Sequence, residues 1–278
     1  MKILHIIPSL KAGGAERLDL DICSELQQQG HEVKLILLHN VNHYTKSSTQ
    51  IDFRVLEAYI HPSVFGKWKI NLKSLDDVIK NFKPDIIHSH LFEAEIVSQE
   101  NIYPNISYFS HCHDNMPQLL NFSLKTLFNK KLLTNFYEKQ HLLKQYQMCN
   151  NKFIAISNDA KQYFEKTLPK KLSQNIFLLN NAIDFKRFNR VNKPRVFDKI
   201  RLINVGSFVS KKNQQFLVEV VKELVENKMD VKLQMLGDGP LLNEIKRKIN
   251  NYGLQDFIDC PGNVEHVEEY LAEANIYV

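Results

Sequence analysis

The sequence has no apolar run near the roughly 20 residues that a membrane-spanning helix needs. Its N-terminal run, Ile3-Leu4-His5-Ile6-Ile7, is too short for a secretory leader and is broken by Pro8. The four cysteines, Cys23, Cys112, Cys149 and Cys260, lie far apart with no CxxC spacing. That argues for free thiols rather than a disulfide framework. There is no dense block of one charge: 36 Lys and Arg against 31 Asp and Glu leave +5, scattered along the chain. This excludes a nucleic-acid footprint and suits an anionic ligand or a loose contact with an anionic membrane surface. Neither a GxGxxG fingerprint nor a P-loop is present. The expected setting is cytoplasmic, at most peripheral to the inner face of a membrane.

What is present is ordinary for a globular chain, with 44% hydrophobic and 24% charged residues over 278 positions, enough for two domains. Short apolar strands alternate with amphipathic helices. Strands are expected at Ile3 to Ile7, Val33 to Leu38, Phe53 to Leu56, Asp85 to His90, Ile106 to His111, Phe153 to Ser157 and Ile176 to Leu179. Helices are expected after a turn at Lys11 to Arg17, through about Gln29 with Leu18, Ile22 and Leu26 on one face, and from Leu72 to Asn81. Residues 185–199 are polar, basic and contain Pro194, the composition of a linker. The pattern then restarts, with strands at Arg201 to Val205, Val231 to Leu236 and Phe257 to Asp259, and another opening at Ile276. Alternation of this kind predicts an α/β chain of two doubly wound, parallel-sheet domains, 1–190 and 191–278.

Four sets of residues carry candidate chemistry. Gly13-Gly14 follows the first strand and opens a helix, where free N–H groups and the positive dipole end suit a phosphate. The same residues would also make an ordinary tight turn. Gly206 to Asn213 repeats the arrangement and adds Lys212, a cation at a helix entrance, where the dipole disfavours it unless an anion binds. Gly237-Asp238-Gly239-Pro240 is a third strand-to-helix turn. Finally, His88-Ser89-His90 and His111-Cys112-His113 put histidines at i and i+2 near two strand ends, so each pair shares a face. A metal site and a hydrogen-bonding role toward a substrate both fit these pairs. A fifth segment, 121–150, interleaves Phe122, Leu127, Phe128 and Phe136 with Lys125, Lys130, Lys131 and Lys144. It fits a peripheral membrane contact or helices packed on the core.

The order of these motifs resembles the retaining glycosyltransferases of family 4, the glycosyl transferases group 1 type, which have the GT-B fold. The resemblance rests on Gly13-Gly14-Ala15-Glu16-Arg17, Gly30-His31-Glu32-Val33, Asp85 to His90, His113-Asp114 and Ile154 to Ser157. It continues through Asn181 to Asp184, Val205-Gly206 with Lys212-Asn213, Gly237 to Pro240 and Gly262. It implies two Rossmann-like domains facing a cleft, the second unfinished at Val278. It also implies transfer of a sugar from a nucleotide diphosphate sugar, with retention of configuration, to a polysaccharide or lipid-linked acceptor, and no metal or cofactor. By resemblance Gly14, beside Gly13, would offer its N–H to the diphosphate. His113 would touch the donor sugar near the reacting centre. Lys212, with Gly206 and Gly237, would hold the diphosphate, and the turn from Gly262 to Val264 would pass close to the base. Ser207 stands where the family usually has an arginine, and the family's glutamate-containing motif would lie beyond Val278. A non-catalytic remnant that binds only acceptor or partner, and a metal-dependent hydrolase built on the histidine pairs, are the competing expectations.

Overall fold

A computed structural model of the chain describes residues 1–63, 67–120, 129–188 and 199–278. The chain divides into two compact units, Met1–Ile183 and Asp184–Val278. The division lies just before the 185–199 stretch read as a linker from composition, and residues 189–198, which include the expected 190/191 boundary, fall outside the described residues.

The first unit is built on strands β1 (Lys2–Ile7), β2 (Glu32–Leu37) and β3 (Asp52–Val55), a small hairpin of β4 (Tyr59–His61) and β5 (Lys69–Asn71), and β6 (Ile86–His90), β7 (Ser107–Cys112), β8 (Lys152–Ala155) and β9 (Ile176–Leu178). Seven of these form one sheet in the order β3-β2-β1-β6-β7-β8-β9, with parallel pairing throughout. Helices α1 (Gly14–Gln28), α2 (Thr45–Ser48), α3 (Lys73–Phe82) and α4 (Phe92–Ser98) follow β1, β2, β5 and β6 in turn. A sheet covered on both faces needs apolar residues on both, and β1 is buried from Ile3 to Ile7.

Period-two alternation sorts these residues. Leu4, Ile6 and Ile36 join Leu75, Ile79 and Phe82 of α3 in one core. Ile7, Val33, Leu35 and Leu37 join Leu20 and Cys23 of α1 in the other. The face of α1 turned to the sheet carries Leu18, Asp19, Leu20 and Cys23. Ile22 and Leu26, expected on that face, are only half-buried. Leu26 still packs on the core of Leu20 and Cys23, and a charged residue, Asp19, is buried beside them.

The second unit has β10 (Ile200–Val205), β11 (Val231–Leu236), β12 (Ile258–Gly262) and β13 (Ile276–Tyr277), all parallel in the order β12-β11-β10-β13. Helices Gln214–Glu226 and Leu242–Asn251 bury Val218, Val221, Ile245 and Ile249 against Leu202, Leu233 and Met235. Ile203, Leu236 and Ala274 begin a second cluster on the opposite face.

Residues 121–128 of the basic-aromatic segment lie outside the described residues; the remainder forms the helix Lys130–Met148. Leu142 and Tyr146 are fully buried in the first unit's core, and Lys139 Nζ donates to the carbonyls of Leu119 (2.8 Å) and Leu120 (3.2 Å). The helix is therefore packed on the core through one face. Among the described residues no helix is long and apolar enough to cross a membrane.

Candidate functional site

In the first unit the sheet order reverses direction beside β1: the chain runs from β1 outward to β2 and β3, then returns to place β6 on the other side. Loops leaving the carboxyl ends of β1 and β6 diverge there, the place where doubly wound sheets bind ligands. The loop after β1 is held from one side. Leu10 N donates to Val41 O (2.9 Å) and His43 N to Leu10 O (2.8 Å). Gly13 N donates to the Tyr44 hydroxyl (3.1 Å), which donates back to Gly13 O (2.9 Å). Arg17 Nη1 donates to Ser47 Oγ (2.9 Å), tying the first turn of α1 to the same segment. A Cβ at Gly14 would meet no protein atom within 4 Å, so no neighbour in the chain requires glycine there.

The histidines of three adjacent strands share one face. Register pairs His5 of β1 with His88 of β6, and His90 of β6 with His111 of β7. His113 lies just beyond β7 on the same alternation. The rings stack: His111 on His113 with centroids 4.4 Å apart and planes 7° apart, and His90 on His111 at 5.0 Å and 22°. Asp19 reaches this face from α1. His5 Nδ1 donates to Asp19 Oδ1 (2.7 Å), and His90 Nε2 lies 3.0 Å from the same oxygen. On its other side His90 places Nδ1 2.9 Å from His113 Nε2. Asp19, His5 and His90 are fully buried, whereas His113 is half-buried.

Burial by itself would raise the Asp19 carboxyl, but the charges and hydrogen bonds of His90 and His5 outweigh it and hold the group well below the usual carboxylate range. Burial, then repulsion from His90, lowers His113 to about 3. The same two causes lead for His111, lowered to about 2, and for His88, held well below the imidazole range. The cluster thus combines one ionised acid with neutral His88, His111 and His113.

Among the described residues, three sets of side chains bring one ligand atom each within 4.8 Å of one another: His5, His88 and His90; His90, His111 and His113; and His5, Asp19 and Cys23. Such sets could hold a metal ion. Here both ring nitrogens of His90, which two of the sets share, already face protein partners, Asp19 and His113.

The second unit brings the glycine turns together at the carboxyl edge of its sheet. Gly206 N donates to Leu236 O (2.9 Å), Gly237 N to Gly262 O (2.8 Å) and Phe208 N to Asp238 O (3.0 Å). The turns after β10, β11 and β12 are thereby laced into one backbone surface. Gly237 has φ +133°, and a Cβ there would collide with the Gly206 carbonyl. The aliphatic stem of Lys212 lies over Gly206, with Cε 3.6 Å from where a Cβ would stand, while the residue as a whole is exposed. Val264 is half-buried and packs on the Ile203–Leu236 cluster. Of the residues singled out from sequence, Gly13, Gly14 and His113 lie in the first unit. Gly206, Lys212, Gly237, Gly262 and Val264 lie in the second.

Sequence reasoning missed Tyr44 and Asp19. Tyr44 sits in an irregular polar stretch with no periodic signal. Asp19 had one: an acid set between Leu18 and Leu20 and one turn before Cys23.

Comparison with known proteins places this geometry. The model of Glycosyltransferase Family 4 matches residues 12–187, and that of Glycosyl transferases group 1 matches residues 185–278. A Campylobacter jejuni protein named GalNAc-alpha-(1->4)-GalNAc-alpha-(1->3)-diNAcBac-PP-undecaprenol alpha-1,4-N-acetyl-D-galactosaminyltransferase is 24% identical over 281 residues, covering 99% of this chain and 72% of its own length. A second from that organism, an N-acetylgalactosamine-N,N'-diacetylbacillosaminyl-diphospho-undecaprenol 4-alpha-N-acetylgalactosaminyltransferase, is 26% identical over 99% of this chain and 73% of its own. The crystal structure of Anabaena HepE in complex with UDP and glucose superposes with a TM-score of 0.73 at 17% identity, covering 100% of this chain and 73% of that one. With its two Rossmann-like units, the chain belongs to the family 4, group 1 glycosyltransferases and has their GT-B fold.

Proposed function

We propose that the chain binds a nucleotide diphosphate sugar and transfers the sugar, with retention of anomeric configuration, to a polysaccharide or lipid-linked acceptor. The observation that carries this reading is the second unit's laced glycine turns with Lys212 lying over Gly206. A backbone surface free of side chains lets a diphosphate approach closely, and one mobile ammonium supplies the charge it needs. In the transfer an acceptor hydroxyl bonds to the anomeric carbon as the bond from that carbon to the diphosphate oxygen breaks. The nucleoside diphosphate leaves with the electron pair and its departing oxygen takes up the hydroxyl proton, while Lys212 offsets its developing charge. On this reading the reaction uses neither a metal nor a cofactor. The Gly13-Gly14 loop, exposed at Gly14, offers the Gly14 N–H to a diphosphate. His113 contacts the donor sugar, and the turn from Gly262 to Val264 passes beside the base.

UDP is the first nucleotide to test, because HepE carries it. An undecaprenyl diphosphate-linked glycan is the first acceptor, because the Campylobacter relatives are named for such substrates. Exposed Lys130, Lys131 and Lys144 on the helix Lys130–Met148 suit the approach to such an acceptor at a membrane surface. Calorimetric titration with UDP and GDP, on the wild type and Lys212→Ala, tests the reading. Binding weakened roughly tenfold or more in the variant is expected for one lost charge-assisted contact. Unchanged binding would remove Lys212 from the site, and no binding to either nucleotide would sink the donor-site reading.

A further inference from the structure

The Asp19–His90–His113 chain has a direction. An ionised carboxylate only accepts, so His5 Nδ1 at 2.7 Å and His90 Nε2 at 3.0 Å from Asp19 Oδ1 both carry protons. Their own separation of 3.3 Å is that of two donors converging on one oxygen. A carboxylate with no exposure needs a counter-charge, and two imidazoles stand ready to supply it. His5 Nε2 is buried without a partner, so an imidazolium there would bury an unpaired charged donor. His90 has an acceptor for each proton: Asp19 on Nε2, and His113 Nε2 2.9 Å from Nδ1.

We propose that Asp19 is a positioning residue for the transfer reaction, keeping His90 doubly protonated so that His90 Nδ1–H donates to His113 Nε2. His113 then holds its own proton on Nδ1 and meets the donor sugar as a hydrogen-bond donor. This rests on the reading above only in what His113 touches. The tautomer itself follows from the buried chain. A neutral His113 whose Nε2 accepts has no other place for its proton. The ring stack with His111 keeps its plane from turning.

Long-range proton–nitrogen correlation spectra of the full chain, labelled with nitrogen-15 at histidine, separate imidazolium from the two neutral tautomers. Signals are assigned with His90→Gln and His113→Gln. The expected wild-type pattern is His90 protonated on both nitrogens and His113 on Nδ1 alone. In Asp19→Asn, which keeps the shape and removes the charge, His90 should become neutral and the His113 signals should change with it. Sugar transfer should then fall roughly 10–100-fold in kcat, the range of a lost orienting partner, with KM little altered. A wild-type His113 protonated on Nε2 overturns the proposal, and so do unchanged His90 and His113 signals in Asp19→Asn. Should that variant fail to fold, the wild-type spectrum still decides. The expected spectrum together with no nucleotide binding would reject the donor-site reading and leave the tautomer assignment standing.

Discussion

Asp19 Oδ1 lies 3.0 Å from His90 Nε2, and both side chains have no exposure to solvent. The pair joins a helix to the strand beside the sheet's reversal point. It puts a charge against two of five clustered histidine rings, His5 and His90, and that cluster has consequences for stability.

The first is acid sensitivity. His88 and His111 are buried and held neutral, by burial first and the His90 charge second. In the unfolded chain they titrate near 6.5. Below that pH the unfolded state binds protons that the folded state refuses. The stability they contribute is complete above about 6.5 and is lost as pH falls toward the folded value, about 2 for His111. Asp19, also lowered, acts in the same direction but only below about 3.8. Each histidine costs about 1.4 kcal/mol per pH unit, so His88 and His111 together should remove roughly 4 kcal/mol between pH 7 and 5, and His113, lowered but half-buried, adds to the same loss. Urea unfolding at pH 7, 6 and 5 measures it; a flat profile would mean that the two rings take up protons in the folded state.

Gly237 and Gly206 are expected to respond differently to the same substitution. A Cβ at Gly237 meets the Gly206 carbonyl and requires φ +133°, so Gly237→Ala should destabilise the second unit by about 1–3 kcal/mol. At Gly206 an added Cβ meets only the Lys212 stem at ordinary contact distance, so Gly206→Ala should melt like the wild type. On the proposed function it should still weaken nucleotide binding, because the methyl occupies the space over which the diphosphate approaches. Thermal melts paired with UDP titrations separate the two effects. Equal destabilisation by both substitutions would contradict the steric argument.

Tyr44 is the clamp on the first loop, accepting from Gly13 N and donating to Gly13 O. Tyr44→Phe removes both bonds and leaves the ring in place. The expected cost is about 1 kcal/mol for each bond lost to water. Hydrogen exchange at the Gly13 and Gly14 amides should quicken while the β1 amides keep their protection. Unchanged exchange at Gly13 would show that the loop is held without the Tyr44 hydroxyl, by bonds such as Leu10–Val41, Leu10–His43, Ala12–His43 and Arg17–Ser47.

Much of the fold was legible because parallel sheets demand it. Strands buried on both faces read as continuous apolar runs, and β1, β2, β10 and β11 fall where such runs occur. The β4–β5 hairpin was not legible: Tyr59–His61 and Lys69–Asn71 are three residues each, largely polar, and pair only because the chain turns back on itself. The helix Asn158–Thr167 also went unread, although Ser157 caps it by accepting from Ala160 N. Its ten residues bury only Ala160 and Phe164, too few to show a period.

The site divides in the same way. The turns at Gly13-Gly14, Gly206, Gly237 and Gly262 were visible because glycine and strand-to-helix order are local properties. Their lacing, Gly206 to Leu236 and Gly237 to Gly262, depends on which strands lie side by side. His88, His90, His111 and His113 could be paired by alternation within each strand, but only sheet register stacks one pair on the other and adds His5. Asp19 is the sharpest case. A charge on a helix is ordinarily a solvated charge, and the one local sign, its place between Leu18 and Leu20 a turn before Cys23, does not say which donors it meets. Local periodicity determined which segments are strands and helices and which turns lack side chains, because those depend on neighbours a few residues away. Tertiary structure alone decided the polarity of the site, because a buried acid is tolerable only where strands from distant parts of the chain bring donors to meet it.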